Sequence, residues 1–337
     1  MSALAVAAPR GGQSRARYPD EQGHVERDGV RTYYEVYGEG EPAILFIPPW
    51  SIVHSRTWKA QIPWFARRHR VVTFDARGNG GSDRPADGAA YRDPQLVADA
   101  LAVLDASGAE RAVVCGGSRG ARWALRFGAE HPERACALVL EAPAIAMTPA
   151  LGAKQASTFE TTSRTRLWLE TAGALLRLAA THPTELFSPT TRVAMRHTNP
   201  FEAARMFNRQ RWLDDYRGFL EWFFGLVFVE PHSTKQIEDC VAWGLETTPE
   251  VLAETAAGDL FMDRRTALDL CERVRCPALV VSGTHDLITP SAWAAALARA
   301  LGARHVEFPG YGHATAARHP VAYNLAVRDF LAAEGLA

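Results

Sequence analysis

The sequence lacks several features that would mark it as a membrane or secreted protein. No window of its 337 residues approaches 18 consecutive apolar residues, so the pattern predicts no transmembrane helix. Arg10, Arg15 and Arg17 interrupt the N-terminal stretch before a secretory apolar segment could form. We therefore expect a cytoplasmic protein that does not associate with membranes.

Lysine is scarce, and arginine supplies nearly all of the positive charge. Lys59, Lys154 and Lys235 are the lysines of the chain, and no basic run stands out. The 37 Lys+Arg residues nearly balance the 38 Asp+Glu residues, which leaves a formal net charge of −1. A nucleic-acid partner is therefore not expected. The share of hydrophobic residues, 47%, is that of an ordinary globular protein with a large core.

The cysteines show neither a disulfide pattern nor a metal-binding pattern. The chain has 5 of them, an odd number, without C-x-x-C or Cys/His ligand spacing. They are Cys115, Cys136, Cys240, Cys271 and Cys276. We expect reduced and mostly buried thiols, with no disulfide framework and no zinc site.

From Val25 onward, β-rich runs alternate with amphipathic stretches, which is typical of an α/β fold. The predicted strands are Arg31 to Tyr37, Ala43 to Ile47, Arg70 to Phe74, Ala112 to Cys115, Ala137 to Leu140, Ala278 to Val281 and His305 to Phe308. The predicted helices are Trp58 to Arg68, Pro94 to Ala106, Arg119 to Glu130, Ser291 to Leu301 and about Val321 to Ala333. Because several strands are apolar throughout, we expect a mostly parallel central sheet covered by helices on both faces.

The same patterns divide the chain into three parts. Residues 1–22 lack periodicity and are expected to form a disordered N-terminal arm. Residues 23–145 and 263–337 carry the α/β alternation and form the predicted core. Residues 146–262 show helical patterns and prolines only, so we predict an all-helical cap inserted into the core.

Aromatic residues are concentrated in the second half of this insert. Trp212, Tyr216, Phe219 and Phe223 fall at i, i+4, i+7 and i+11, which predicts one stripe along a helix. Such a stripe either packs the cap against itself and the core or lines an apolar pocket, and both interpretations stay open. These four residues are the candidate substrate-binding residues.

One serine lies where a predicted strand runs into a predicted helix. The sequence Gly116-Gly117-Ser118-Arg119-Gly120 is a G-x-S-x-G motif in this context. A serine on a sharp, strained turn projects its hydroxyl beyond the strand end, and the flanking glycines let strand and helix backbones approach closely. Because a serine hydroxyl is a poor nucleophile near neutral pH, the motif predicts an acid and then a histidine further along the chain.

Both residues follow in that order. Asp286 comes just after the predicted strand that ends at Val281, and His313 comes just after the strand that ends at Phe308. Ligand sites of parallel sheets collect at the C-terminal ends of the strands. The sequence therefore predicts a catalytic triad of Ser118, Asp286 and His313.

Together these residues resemble the α/β-hydrolase superfamily in its serine-nucleophile, cap-bearing branch. The resemblance covers about residues 28–144 and 264–335, and the segment DARGNGGS at 75–82 matches the turn after the family's fourth strand. It implies an oxyanion hole formed by the backbone N–H groups of Trp50 and Arg119. Family members usually carry His-Gly in the first of these loops, whereas here two prolines, which cannot donate hydrogen bonds, precede the tryptophan.

Several neighbouring residues have more than one interpretation at this stage. The Arg119 side chain either selects an acidic substrate or is a partly solvated arginine. His54 either replaces the missing loop histidine or has a surface or supporting role. Glu141, at the end of a predicted strand, is the alternative triad acid. Asp75 and Arg77 are expected to fix their turn by hydrogen bonds rather than to take part in catalysis.

The sequence predicts a serine hydrolase that cleaves an ester, thioester or amide of a moderately sized, largely apolar substrate through an acyl-enzyme. No cofactor or metal is predicted, and a small-molecule acyl substrate is the expected partner. Three alternatives remain: an acyltransferase or cyclising thioesterase on the same triad, a hydrolase-fold receptor that binds a ligand with little turnover, and a cofactor-free oxygenase or lyase that uses a Ser/His pair. The sequence does not indicate an oligomeric state.

Overall fold

The computed structural model describes residues 16–147, 200–256 and 261–337, together with Ala172, Leu176 and Ala180. An eight-stranded sheet with the order β1-β2-β4-β3-β5-β6-β9-β10 lies at the centre of this part of the chain. Its strands are β1 (Glu21–Arg27), β2 (Val30–Tyr37), β3 (Ala43–Ile47), β4 (Val71–Phe74), β5 (Ala112–Gly117), β6 (Ala135–Glu141), β9 (Ala278–Gly283) and β10 (Arg304–Phe308). β2 pairs antiparallel with β1 and β4, and the remaining pairs are parallel.

Helices cover both faces of the sheet, as the apolar strands require. The helices of the core are α1 (Ile62–Phe65), α2 (Asp93–Ala106), α3 (Arg119–Glu130), α9 (Arg264–Cys271), α10 (Ser291–Leu301), α11 (Thr315–Arg318) and α12 (Pro320–Ala333). One apolar cluster joins the sheet to α2, α3, α9 and α10, and a second joins the other face to α1 and α12. All residues of β3, β5, β6 and β9 are buried. This burial on both faces of the sheet explains why the sequences of these strands are continuous apolar runs. The predicted α/β-hydrolase fold class is confirmed.

Two details of the core differ from the prediction. The first 15 residues of the predicted arm lie outside the described residues, but Glu21 and Gln22 belong to β1. The N–H of Asp20 already donates to the carbonyl of Val36 at 2.9 Å, so the sheet begins slightly before residue 23. In place of the helix predicted over 58–68, the structure has a 3-10 turn, Ser55–Trp58, followed by the single helical turn of α1.

The insert leaves and re-enters the core at one place. β7 (Ile145–Ala146) pairs in parallel with β8 (Met262–Asp263), at the predicted boundaries of the insert. Its described part contains the helices α4 (Pro200–Met206), α5 (Arg209–Asp214), α6 (Tyr216–Val227), α7 (Thr234–Gly244) and α8 (Pro249–Ala256). Most of 148–199 and all of 257–260 lie outside the described residues, so an entirely helical cap stays a prediction.

The aromatic stripe does not lie on one helix, which corrects the sequence prediction. Asp215 has φ −149° and ψ 70°, outside the helical region, and separates α5 from α6. Its carboxylate accepts a hydrogen bond from the N–H of Gly218 and so begins the second helix. Trp212 therefore lies on α5, while Tyr216, Phe219 and Phe223 lie on α6.

Other sequence expectations concern thiols, metals and membranes. The five cysteines are free, and all are buried except Cys276, which is half-buried. Within the described ranges, His, Cys, Asp and Glu side chains form no group of three or more that could hold a metal ion. None of the helices described here combines the length and the apolar character that crossing a membrane requires.

Asp99 on α2 is the centre of a buried ionic network and allows a stability prediction. Its carboxylate accepts hydrogen bonds from Nη2 of Arg77 at 2.6 Å and from Nη2 of Arg27 at 2.9 Å. Because Asp99→Ala leaves the buried Arg77 cation unpaired, we expect the free energy of unfolding to fall by about 3–5 kcal/mol. Urea denaturation would measure this change. Glu221→Ala, which removes the partner of exposed Arg217, is the control and should leave the stability almost unchanged.

Candidate active site

Ser118 lies on a strained turn between β5 and α3. Its φ of 54° is in the left-handed region, which residues with a Cβ rarely adopt, and its ψ is −118°. A Cβ at Gly116 would lie 2.2 Å from the carbonyl oxygen of Gly120, and one at Gly120 would lie 2.7 Å from that of Pro48. The glycines of the motif are therefore required by close backbone packing, and the half-buried Ser118 is held at the end of the strand.

Asp286 and His313 form a buried hydrogen-bonded pair. Nδ1 of His313 lies 2.8 Å from Oδ2 of Asp286, which is fully buried. Oδ1 of Asp286 also accepts hydrogen bonds from the N–H groups of Ile288 and Thr289, and the Thr289 hydroxyl donates to Oδ2. With Nδ1 donating to the carboxylate, Nε2 of His313 is left with the lone pair of a general base.

The end of β6 and the residues after it contact both Ser118 and Thr289, the residue that donates to Asp286. The N–H of Ser118 donates to the carbonyl of Glu141 at 2.9 Å, and the carbonyl of Ser118 accepts from the N–H of Ala144 at 3.0 Å. The Thr289 hydroxyl lies 3.2 Å from the carbonyl of Ala142. The described ring contacts of His313 run through Nδ1, to Asp286 and Thr289, and a contact between Nε2 and the nucleophile often tightens only with substrate bound.

The charges around His313 favour its protonated form. Burial lowers the pKa of this imidazole, but the charge and hydrogen bond of Asp286, with the charge of Glu141, raise the pKa above the ordinary value of histidine. The negative partner therefore stabilises the imidazolium that forms when a general base takes a proton.

Glu141, the alternative acid, binds a different group. Its Oε1 accepts hydrogen bonds from the Thr315 hydroxyl and the Ala316 N–H, both at 2.6 Å, at the start of α11. Burial raises the pKa of Glu141, against the effect of these two hydrogen bonds. Since Nδ1 of His313 contacts Asp286, the alternative role of Glu141 as the triad acid is not favoured by this geometry.

Trp50 and Arg119, whose N–H groups are the proposed oxyanion donors, are near neighbours in sequence of Pro48 and Gly120, whose backbones are in close contact. Arg119 is the first residue of α3, so its N–H is free of the helical ladder at the end nearest Ser118. Trp50 lies in a turn closed by the hydrogen bond from the N–H of Val53 to its carbonyl at 2.9 Å. Trp50 and Arg119 are both buried, at 6% and 5% exposure, and their side chains line one small cavity.

The side chain of Arg119 is not partly solvated, which corrects one of the two interpretations offered above. Its Nη1 donates to the carbonyl of Thr255 at 2.9 Å, and its guanidinium lies 5.6 Å from the ring of Trp50 and 5.8 Å from that of Trp123. Burial and, to a lesser degree, the nearby charge of Arg122 lower the pKa of Arg119 to about 9. The arginine thus contacts the insert.

His54 is buried rather than at the surface. Its Nδ1 lies 3.2 Å from Oδ1 of Asp75, and its Nε2 lies 3.6 Å from the carboxylate of Glu246 in the insert. Burial lowers the pKa of His54 more than the charge of Asp75 raises it. Asp75 also accepts from the N–H of Gly81, and the carbonyl of Asp75 accepts from the Ser82 hydroxyl, so it fixes the turn as expected.

The candidate aromatic residues of the insert pack mostly with one another and with Trp50. Trp212 and Phe219 are fully buried with ring centroids 4.9 Å apart. The ring of Trp50 lies 5.6 Å from Phe223 and 6.5 Å from Trp212. Tyr216 donates its hydroxyl to the carbonyl of Gly244. The cluster thus packs against the loop that carries Trp50. A direct role of these aromatic residues in substrate binding stays a prediction.

The insert also contacts the loop that carries His313. The N–H of Gly312 donates to Oε1 of Glu230 at 2.8 Å, and the N–H of His313 lies 3.2 Å from the carbonyl of Val227 at the end of α6. Sequence reasoning missed Glu230, Thr255 and Thr289. Only Thr289 had a local signal, because it follows the acid within one turn.

Comparisons with known proteins identify the fold family of the chain. The family model described as alpha/beta hydrolase fold matches residues 42–320. The 3-oxoadipate enol-lactonase 2 of Acinetobacter baylyi is 26% identical over 300 residues, which cover 88% of this chain and 92% of that protein. Epoxide hydrolase B of Mycobacterium tuberculosis is 43% identical over 84 residues, but the match spans only 24% of that protein.

A solved structure shows the same fold across nearly the whole chain. The enol-lactonase from Burkholderia xenovorans LB400 superposes with a TM-score of 0.66 at 21% identity, covering 92% of this chain and all of that one. The family model covers well over half of the 337 residues. The chain therefore belongs to the alpha/beta hydrolase fold family.

Proposed function

We propose that the protein is a serine hydrolase that cleaves a carboxylic ester, including the internal ester of a lactone, through an acyl-enzyme. The observation that carries the proposal is the buried Asp286–His313 pair, 2.8 Å apart, at the sheet edge where the strained turn holds Ser118. A nucleophile, a base and an orienting acid at one strand edge are what acyl transfer by serine needs.

The proposed reaction uses each group once in each half. His313 takes the proton of Ser118 as Oγ bonds to the carbonyl carbon, and the N–H groups of Trp50 and Arg119 stabilise the oxyanion. The tetrahedral intermediate collapses as the carbon–oxygen bond of the leaving alkoxide breaks, and the alkoxide takes the proton from His313. Water then repeats the sequence on the acyl-enzyme, which releases the acid and restores Ser118.

The chemistry of serine argues for a carbonyl substrate rather than an epoxide. Attack of Ser118 on an epoxide carbon would open the ring and leave an ether on the enzyme, which has no carbonyl carbon for water to attack. Attack on an ester leaves an acyl-enzyme, which water can hydrolyse. The local similarity to an epoxide hydrolase therefore does not favour that reaction here.

The substrate class follows from the surroundings of the site. Trp50 and Phe223 place aromatic surface above the oxyanion loop, so the acyl or alcohol part of the substrate is proposed to be largely apolar. The long match to a protein named as an enol-lactonase supports an ester, including one closed in a ring, over an amide or thioester.

Exposure to a small fluorophosphonate would test the proposal. Ser118 Oγ should displace fluoride from phosphorus, so the intact mass of the wild type should increase by one phosphonyl group located on Ser118 by peptide mapping. Ser118→Ala should stay unmodified. Ser107→Ala, which replaces a buried serine at the C-terminal end of α2, should be modified at the wild-type rate. Modification of another residue, or none at all, would refute an activated Ser118.

Product analysis separates hydrolysis from the alternatives. If Ser118 is labelled, the unlabelled enzyme should next be assayed on a series of aryl esters, alkyl esters and lactones, each with and without added methanol. Acid as the main product supports the hydrolase, and a product formed only when an alcohol or amine acceptor is present supports the acyltransferase. Saturable ligand binding with a single slow turnover supports the receptor.

A further inference from the structure

Thr255, near the end of α8 in the insert, contacts both sides of the candidate oxyanion hole. Its Oγ1 lies 3.2 Å from Nε1 of Trp50 and 3.1 Å from Oγ of Ser51. Its carbonyl accepts the hydrogen bond from Nη1 of Arg119 at 2.9 Å. One residue of the insert is thus bonded to the residues that carry both proposed oxyanion donors.

The hydrogen-bonding capacity of the Thr255 hydroxyl is fully used. A hydroxyl has one donor and two acceptor positions. The hydroxyl of Thr255 lies 2.9 Å from the carbonyl of Leu252, to which it donates, and accepts from the indole of Trp50 and the hydroxyl of Ser51. Because Thr255 is only 4% exposed, water cannot readily replace these bonds.

Among the described residues, few backbone hydrogen bonds restrain the loop that Thr255 contacts. Two prolines precede Trp50 and donate no backbone hydrogen bonds. Among the described residues, the backbone hydrogen bond that closes the Trp50 turn is the one from the N–H of Val53, while the ring of Trp50 packs against Trp212 and Phe223. A backbone N–H stabilises an oxyanion only when it points at the position that the oxygen will occupy, so a small rotation of this turn would weaken the donor.

We propose that Thr255 is a positioning residue that holds the Trp50 turn in the orientation required for its N–H to stabilise the oxyanion. The bond from Arg119 to the carbonyl of Thr255 fixes the other end of the contact, because Arg119 begins the helix behind the nucleophile. The inference rests on the proposed function. It makes the end of α8 a part of the catalytic architecture, although Thr255 does not touch the reacting atoms.

Thr255→Val tests the inference because valine keeps the shape and removes the acceptor. We expect kcat for an activated ester to fall about 10- to 100-fold, below the loss for deleting an oxyanion donor outright, with KM nearly unchanged. Affinity for a boronic acid, whose tetrahedral adduct with Ser118 mimics the transition state, should fall by a similar factor. Thr255→Ser keeps the hydroxyl and should restore most of kcat.

The chain offers a matched control in Thr247. It is also a buried threonine of the insert, and its hydroxyl also bonds to the core, but it donates to the carbonyl of Gly78 instead of contacting the Trp50 turn. Thr247→Val should therefore keep the wild-type kcat and boronate affinity. Equal kcat values in the two valine variants, a change in KM alone, or no recovery in Thr255→Ser would overturn the inference.

A second variant approaches the same bond from the core and covers the case in which Thr255→Val does not fold. Trp50→Phe removes the indole N–H and keeps an aromatic ring, so it should lower kcat in the same way. In the double variant the two losses should be clearly less than additive. If the wild type itself shows no hydrolysis that depends on Ser118, the proposed function fails and this inference fails with it. Wild-type turnover with unaffected variants refutes the inference alone.

Discussion

In Ser118→Ala, ester hydrolysis is expected to fall by about 10⁴-fold or more, because members of a catalytic triad act as a unit. The alanine keeps the backbone at φ 54°, so the turn and the packing of Gly116 against Gly120 are retained. The measurement is kcat/KM on the best ester or lactone of the substrate series, together with the midpoint of thermal unfolding.

Two controls make this result specific. Ser118→Gly should be at least as stable as the wild type, since glycine adopts a positive φ without strain, yet it should be equally inactive. Ser107→Ala should keep full activity. Near-normal turnover in Ser118→Ala would refute the serine mechanism whatever the stability data show.

In Asp286→Asn, activity at high pH should also fall by about 10⁴-fold, because the asparagine favours the wrong tautomer of His313. The pH dependence should change as well. His313 must be neutral to act as a base, and its raised pKa places the acidic limb of kcat/KM above the ordinary 6.5 of histidine in the wild type. Removing the negative charge of Asp286 lowers the pKa of His313, so the residual activity should show its acidic limb at lower pH.

Asp263→Asn is a matched control for this pH profile. Asp263 at the start of α9 accepts hydrogen bonds from the N–H and hydroxyl of Thr266, three residues on, as Asp286 does from Thr289. It lies outside the site, so its replacement should leave both rate and limb unchanged. An acidic limb that does not move in Asp286→Asn would mean that another group controls the wild-type profile.

The sequence predicted the parts of the fold where local pattern and burial agree. β3, β5, β6 and β9 are buried on both faces, so their apolar runs are visible without any knowledge of their neighbours. β1 was missed because it lies at the sheet edge with mostly exposed or half-buried side chains, and its sequence EQGHVER has no clear alternation.

Periodicity also misled in one place. The spacing of Trp212 and Tyr216 continues across the break at Asp215, since two short helices that meet in register repeat the same pattern as one long helix. An aspartate followed three residues later by glycine was the available signal, because a carboxylate at that position starts a helix. For most of residues 148–199 of the insert, which lie outside the described residues, the helical structure stays a prediction from the sequence.

For the candidate site, the order of the residues along the chain allowed Ser118, Asp286 and His313 to be predicted together. Contacts between residues far apart in the sequence could not be predicted. Ser118, Asp286 and His313 each follow a strand, so their common edge could be predicted from topology. Thr255 could not, because its bond to Trp50 joins positions 205 residues apart and comes from a helix whose orientation no local pattern indicates. The burial of His54 and Arg119 depends on the insert in the same way.

The parallel pairing of β7 with β8 has a consequence for how such enzymes diversify. Adjacent strands lie about 4.8 Å apart, so the polypeptide leaves the core and returns to it at nearly one point. Evolution, or an engineer, can therefore exchange everything between Ala146 and Met262 for a segment of any length whose ends meet at that spacing. The core would keep its sheet and its nucleophile, while Thr255 and Glu230 would leave with the old segment. A transplanted lid must then supply its own supports for the oxyanion loop and the histidine loop, and this requirement limits which lids can be exchanged.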